Sequence, residues 1–369
     1  MQRSIGTISS AILAVLLASP AMAQVTPEEV WQGWQTMGAS YGQAIIADQV
    51  VRRDDTLVVS GLKVRMDQDG ARIDGSIDEV RFRDLGNGTV EVTMTDTYAI
   101  DMTLPDPDGK TQEIAIKLTQ PQIRLIAGGS ATQTSYSIDA PSMVMDMQVT
   151  EDSVKQADVR ATLTALTGNY VLDTQAAATA LDSTVSIDGL SFTVAAGDAT
   201  NGATVVGSLA ALKMASRGNF LGIAAMDDIA QALRDGFVTN TDFSFGQGDY
   251  TIDVVDSGKP SKVVAVNQTG HFRVNMADGA LHYGAGGTGV SMTVSGADIP
   301  FPEVKLTYEE GSFDILMPLL ATDAPTDFSF LTRFVDLAVS DEIWAIFDPT
   351  VALPREPATV IIDTKGKVR

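Results

Sequence analysis

The chain has 369 residues, 44% of them hydrophobic and 20% charged, a composition that excludes a disordered chain and suits one large domain or two ordinary ones. A formal net charge of −22 disfavours contact with nucleic-acid phosphates or anionic lipid head groups. Cysteine is absent, which excludes disulfides, zinc–thiolate sites, thiol chemistry and an acyl anchor on an N-terminal cysteine.

The first residues carry the pattern of an export signal. Arg3 supplies a positive start, Ala11 to Ala18 form a short apolar run, and Pro20 precedes the small-x-small triplet Ala21-Met22-Ala23. Residues 1–23 therefore predict a signal peptide cut after Ala23, and a mature chain in the periplasm. No later stretch has the roughly 20 apolar residues that a membrane-spanning helix needs. Next, Thr26-Pro27-Glu28-Glu29 predicts a helix start: a capping box with proline in the first turn. Val30, Trp34, Met37, Tyr41 and Ile45 recur at helical spacing behind it, which predicts an amphipathic helix docked on something apolar.

From about Leu57 the period becomes two. Leu62, Val64 and Met66 alternate with polar residues, as do Val90 to Met94, Tyr98 to Leu104, Ile114 to Leu118 and Met143 to Val149. Strict alternation predicts half-buried antiparallel strands. Turn signals separate them at Asp69-Gly70, Gly86-Asn87-Gly88 and Pro105 to Gly109. Glycine also recurs inside alternating runs, at Gly61, Gly75 and Gly189, where it predicts bulges, bends or tight hairpins. Met226 to Leu233 predicts a short helix closed by Gly236. Strand patterns follow at Phe272–Met276, Val290–Val294 and Val304–Tyr308. Phe328 to Phe347 reads as helical, with Leu331, Phe334, Val335 and Ala338 on one face and a fresh start at Ser340-Asp341-Glu342. Pro357 to Asp363 predicts a last strand.

Chemistry-bearing patterns are sparse. His271 and His282, with Asp278 between them, match no metal-ligand spacing. Gly284 to Gly289 satisfies the dinucleotide-binding G-x-G-x-x-G, but a strand pattern follows where a helix is required, so it reads as a flexible hairpin. Asp67-Gln68-Asp69-Gly70 and Asp106-Pro107-Asp108-Gly109 lack the remaining oxygen ligands of a calcium loop. No nucleophile elbow, S-x-x-K or H-E-x-x-H is present. Catalytic, cofactor and metal sites are all expected to be absent.

The segment Trp344-Ala345-Ile346-Phe347-Asp348-Pro349, then Leu353-Pro354-Arg355-Glu356-Pro357-Ala358 and Ile362-Asp363-Thr364-Lys365-Gly366, resembles the family called domain of unknown function 2125, exported proteins of alphaproteobacteria. The resemblance implies a periplasmic, β-rich protein with no established activity and no catalytic residue to carry over. Its sequences continue past the L-P-R-x-P-A element, which predicts a further C-terminal portion. Trp344, Asp348, Pro349, Pro354, Arg355 and Pro357 are read as structural, with the prolines fixing a crossing and Arg355 reaching a carboxylate such as Asp348.

The expected fold is mainly β with a few helices: extended, curved antiparallel sheets behind an N-terminal amphipathic helix. Two β-rich segments are expected, 24–165 and 166–369. Met143, Met145 and Met147 suit an adaptable apolar lining, although strand-spaced methionine also fills cores. The expected role is non-enzymatic: binding of an apolar ligand or lipid in envelope maintenance, with a structural or protein-interaction module of the envelope as the alternative.

Overall fold

The computed structural model describes residues 24–68, 70–105, 110–130, 132–174, 179–220, 228–320 and 323–368. Helix α1 (Pro27–Ser40) opens with the expected capping box. The Thr26 amide donates to Glu29 Oε2 at 2.8 Å, and the Glu29 amide donates to Thr26 Oγ1 at 3.2 Å. The helix ends before Tyr41, so Ile45 lies in a strand and not on the helix. The buried face is Val30 and Trp31, with Trp34 beside it, while Met37 and Tyr41 are exposed.

All strands join one antiparallel sheet. Strands β1 (Ala44–Ile46) and β2 (Gln49–Arg53) both pair with β3 (Thr56–Gln68), and β3 pairs with β4 (Ala71–Asp84). Along β4 lie β5 (Val90–Met94) and β6 (Thr97–Pro105), end to end. Strands β7 (Thr111–Thr119) and β8 (Arg124–Gly129) pair with β6 and β5 on one side and with β9 (Gln133–Glu151) on the other. The long strands β10 (Val154–Asp173), β11 (Thr179–Gly197) and β12 (Gly202–Phe220) follow in order. Helix α2 (Ile229–Arg234) then precedes a second set of end-to-end strands: β13 (Thr239–Phe245) with β14 (Gly248–Asp256), and β15 (Lys259–Asn267) with β16 (Thr269–Ala277). The sheet closes its sequence with β17 (Ala280–Gly296), β18 (Val304–Pro318), β19 (Thr326–Val339), helix α3 (Asp341–Phe347) and β20 (Ala358–Val368).

A crease crosses this sheet at mid-strand and divides it into two tiers. Gly61 in β3, Ala165 in β10, Ala211 in β12, Gly289 in β17 and Asp336 in β19 all have φ between 51° and 62°. The end-to-end strands meet at the same level. At the crossings one residue per strand drops out of the ladder while the register continues, as between Ser60↔Glu79 and Leu62↔Ile77, or two, as between Thr164↔Gly189 and Thr167↔Ser186. That extra residue switches the phase of the alternation. Inward residues of β3 are Leu57 and Val59 before Gly61, and Leu62, Val64 and Met66 after it. The apolar set thus stays on one face along the whole strand.

Two expectations need correction here. Phe328–Val339 is strand β19 and only Asp341–Phe347 is helical. The phase switch at Asp336 sets Phe334 and Leu337 three residues apart, and this imitates helical spacing inside a strand. Gly284 to Gly289 is also no hairpin: it lies within β17, fully paired to β16 and β18 up to its crease residue Gly289. Gly61 and Gly189 fall at or beside the crease, whereas Gly75 sits in regular ladder opposite Val64 and Ile100. The short helix near Met226 begins at Ile229 with Asp228 as its cap, Met226 lying outside the described residues. Its end has the expected glycine: the amides of Gly236 and Phe237 donate to Leu233 and Ala232 carbonyls, closing a Schellman turn.

The compact core is local. Fifteen of the buried apolar residues, including Val59, Val80, Phe82, Val90 and Val92, form one cluster beneath α1. Trp34 meets Phe82 edge-on, ring centroids 5.2 Å apart. A second, small cluster joins Ala232 and Leu233 of α2 to Phe237 just past its end. The boundary drawn at 165/166 falls inside β10, at the crease.

Candidate functional site

The apolar face outside those clusters forms the candidate site. Register partners in the second tier trace it strand by strand. From Val64 the row runs through Gly75, Ile100, Ile116, Met147 and Val159. It continues through Val194, Val205, Ile252, Val263, Val294 and Val304. Neighbouring strands stand about 4.8 Å apart, so twelve strands carry an apolar stripe roughly 50 Å long. A parallel row contains Leu118, Met145, Ala161, Phe192 and, opposite Phe192, Gly207. Met143, Met145 and Met147 all lie on this face and are half-buried, with Met143 packed against the α1 cluster.

The face lies on the inside of the crease, since a cavity lined from both tiers opens on it; a larger opening, about 630 Å³, lies within the second tier on the other face, among Asp101, Lys117, Asp146 and Arg160. A cavity of about 420 Å³ is lined from both tiers, by Phe245, Gly287 and Phe334 on one side and Tyr250, Asn267 and Tyr308 on the other. A second cavity of about 330 Å³ lies between α1 and the first tier, lined by Met37, Tyr41, Tyr136 and Leu172. Tyr136 stacks on Tyr170 at 4.7 Å, and burial pushes both phenols above their ordinary pKa. These hydroxyls are therefore neutral donors in an apolar wall.

The opposite face is mostly polar, although Val206, Val264 and Val266 are exposed on it. Cross-strand ion pairs stud it: Arg160–Asp146 at 2.7 Å, Arg273–Asp242 at 2.5 Å, Lys262–Asp253 at 3.1 Å and Arg333–Glu310 at 2.8 Å. Partial burial works against the charge of Glu91, yet hydrogen bonds from Arg124 and Arg83 hold its pKa below the ordinary value. His282 pairs with Asp314 at 2.9 Å. His271 stands four register positions away, opposite Gly286, and Asp278 is in the β16–β17 turn. Among the described residues no group of three or more His, Asp or Glu side chains is placed to hold a metal ion. The Asp106-Pro107-Asp108-Gly109 turn, and Asp69 of the other turn, lie outside the described residues.

The L-P-R-x-P-A crossing is ordered differently from expectation. The Asp348 carboxylate is 5% exposed and accepts from the amides of Ala352 and Leu353, each at 2.9 Å. Those donors hold its pKa below the ordinary value and occupy the oxygens that Arg355 was expected to reach. Arg355 instead pairs with Asp341 at 3.1 Å and donates to the Asp348 carbonyl at 3.4 Å. Trp344 caps the same turn through its carbonyl, which accepts from the Asp348 amide. Pro349, Pro354 and Pro357 lie along this crossing between α3 and β20.

Fold and face together define a class: an open, single-layer β-sheet, creased along its middle, with an apolar inside and an ion-paired outside. No family model matches the chain, and no curated protein or solved structure matches it either. Among the described residues no helix is long and apolar enough to cross a membrane.

Proposed function

We propose that this chain is an exported, non-enzymatic periplasmic protein that holds lipid or another apolar ligand along the inner face of its creased sheet. One observation carries the reading: among the described residues, the twelve-strand apolar row on the inside of the crease has no second layer over most of its length. On the same face in the first tier, Met214 and Phe272 are more than one-third exposed. Leaving contiguous apolar surface of this extent in water is unfavourable, and such patches mark binding grooves. The methionine column adds an adaptable wall. Export rests on the Arg3, Ala11–Ala18 and Ala21-Met22-Ala23 pattern, and the resemblance to the family of domain of unknown function 2125 is in keeping with it. Acidic charge outside favours seating apolar chains and leaving head groups in solvent.

Native mass spectrometry with lipid extraction of freshly purified protein tests this. Acyl lipid bound in stoichiometric amount is expected; protein free of lipid that also takes up no added lipid would contradict it. A second reading, an envelope interaction module, draws on the C-terminal edge, where Phe347 and Ile361 are 77% and 57% exposed.

A further inference from the structure

The 420 Å³ cavity has a floor unlike the rest of the face. Gly270, Gly287 and Gly311 are register partners on β16, β17 and β18, bracketed by their own partners Phe245 and Phe334. A Cβ at Gly270 would run into the Phe245 ring, and one at Gly311 would stand 2.6 Å from the Tyr308 ring. The Phe245 and Tyr308 rings cover Gly270 and Gly311, so the wall of the cavity is made of aromatic ring and bare backbone. A cavity of this size and lining suits one hydrocarbon chain.

Among the polar side chains of the lining, which include Thr269, Ser312 and Thr332, Asn267 is the one with a buried donor left without a partner. The row Met143, Leu163, Leu190, Leu209 and Gly248 ends in Asn267. Its amide lies over Gly248 beside the Tyr250 hydroxyl, since a Cβ on that glycine would meet Asn267 Oδ1 at 2.5 Å and Tyr250 Oη at 2.7 Å. Asn267 Nδ2 is buried and has no hydrogen-bond partner. A buried donor left unmade costs about 1–3 kcal/mol, and an acceptor on a ligand would remove that cost. No charged side chain lines the cavity. A free carboxylate or phosphate seated there would be an unpaired buried charge, which is strongly unfavourable. The matching acceptor is therefore neutral.

We propose that this cavity is an acyl-ester site: a hydrocarbon chain lies against the rings of Phe245, Tyr308 and Phe334, and its ester carbonyl accepts from Asn267 Nδ2. The assignment rests on the apolar-ligand reading above and narrows it to an esterified acyl chain, the tail of a neutral or zwitterionic lipid. Asn267 is then the residue that distinguishes an ester from a plain alkane.

Binding of methyl palmitate, palmitate and hexadecane to the full mature chain, each delivered from cyclodextrin at about pH 8, where palmitate is ionised, tests the site. Methyl palmitate is expected to bind about tenfold more tightly than the other two. Asn267→Leu should bring the ester down to the alkane level and leave hexadecane unchanged. As a second readout, the infrared carbonyl stretch of bound methyl palmitate should shift to lower frequency in the parent and not in the variant. Equal binding of ester and alkane with no effect of Asn267→Leu, or tightest binding of palmitate, overturns the ester site while the apolar face stands. Failure of all three probes to bind overturns both.

Discussion

Five residues set the crease, and three of them are not glycine. A left-handed conformation costs an L-residue about 1–2 kcal/mol, and Ala165, Ala211 and Asp336 each adopt it at φ 51–53°. Ala165→Gly is therefore expected to be neutral or stabilising by up to about 1 kcal/mol, as read by urea unfolding, since relief of strain outweighs the entropy glycine adds to the unfolded chain. Gly61→Ala should cost about 1–2 kcal/mol, because it imposes the same strain and drives a methyl group into Asp48. Asp348 adds a pH dependence at the C-terminal crossing. Its pKa is lowered in the fold by the Leu353 and Ala352 amides, so the stability it contributes is complete above the ordinary value of 3.8 and drains as pH falls through the lowered value. Hydrogen exchange of the Ala352 and Leu353 amides should accelerate in that acidic window, and Asp348→Asn should abolish the acid dependence. Acid-independent exchange in the parent would contradict this.

At the scale of elements, period and capping were legible and phase was not. The capping box of α1, the Gly236 turn and nearly every alternating run declare themselves in sequence, because each depends on residues close in the chain. Three features do not. The crease shifts alternation by one, so Leu331, Phe334, Val335 and Ala338 read as one helical face until Glu310↔Val335 and Thr307↔Ala338 fix them as strand. Gly284 to Gly289 looks like a loop because its glycines show no alternation, and only its pairing to residues 269–273 on one side and 310–314 on the other makes it strand. Trp31 is the third: the spacing pointed to Val30, Trp34, Met37, Tyr41 and Ile45, of which Val30 and Trp34 do pack on the sheet, but it passed over Trp31, which is buried there while Met37 and Tyr41 are exposed. The ring of Trp31 lies 6.0 Å from that of Phe82 in the main cluster, so Trp31→Ala should cost about 3 kcal/mol or more in unfolding free energy. Tyr41→Ala, at an exposed position, should change it by less than about 0.5 kcal/mol.

The whole molecule behaves as one long ladder with a covered end and an uncovered run. Helix α1 supplies a second layer over β3, β4, β5, β8 and β9, and there the inward residues are buried. From β11 onward the same inward pattern continues with little above it beyond α2, and the residues are half-exposed. Mainly-β character and the methionine column could be read from alternation alone. That the column belongs to a twelve-strand stripe could not, since each step of the stripe is a pairing between segments whose register only the folded sheet fixes. The absence of cysteine gives direct access to that stripe. Single cysteines placed at Val205 and Val263, which face inward, and at Val206 and Val264, which face outward, can each carry an environment-sensitive fluorophore. On adding phospholipid, the account expects a blue shift and slowed quenching at positions 205 and 263 alone. Equal responses on both faces, or none on either, would contradict a lipid-holding inner face.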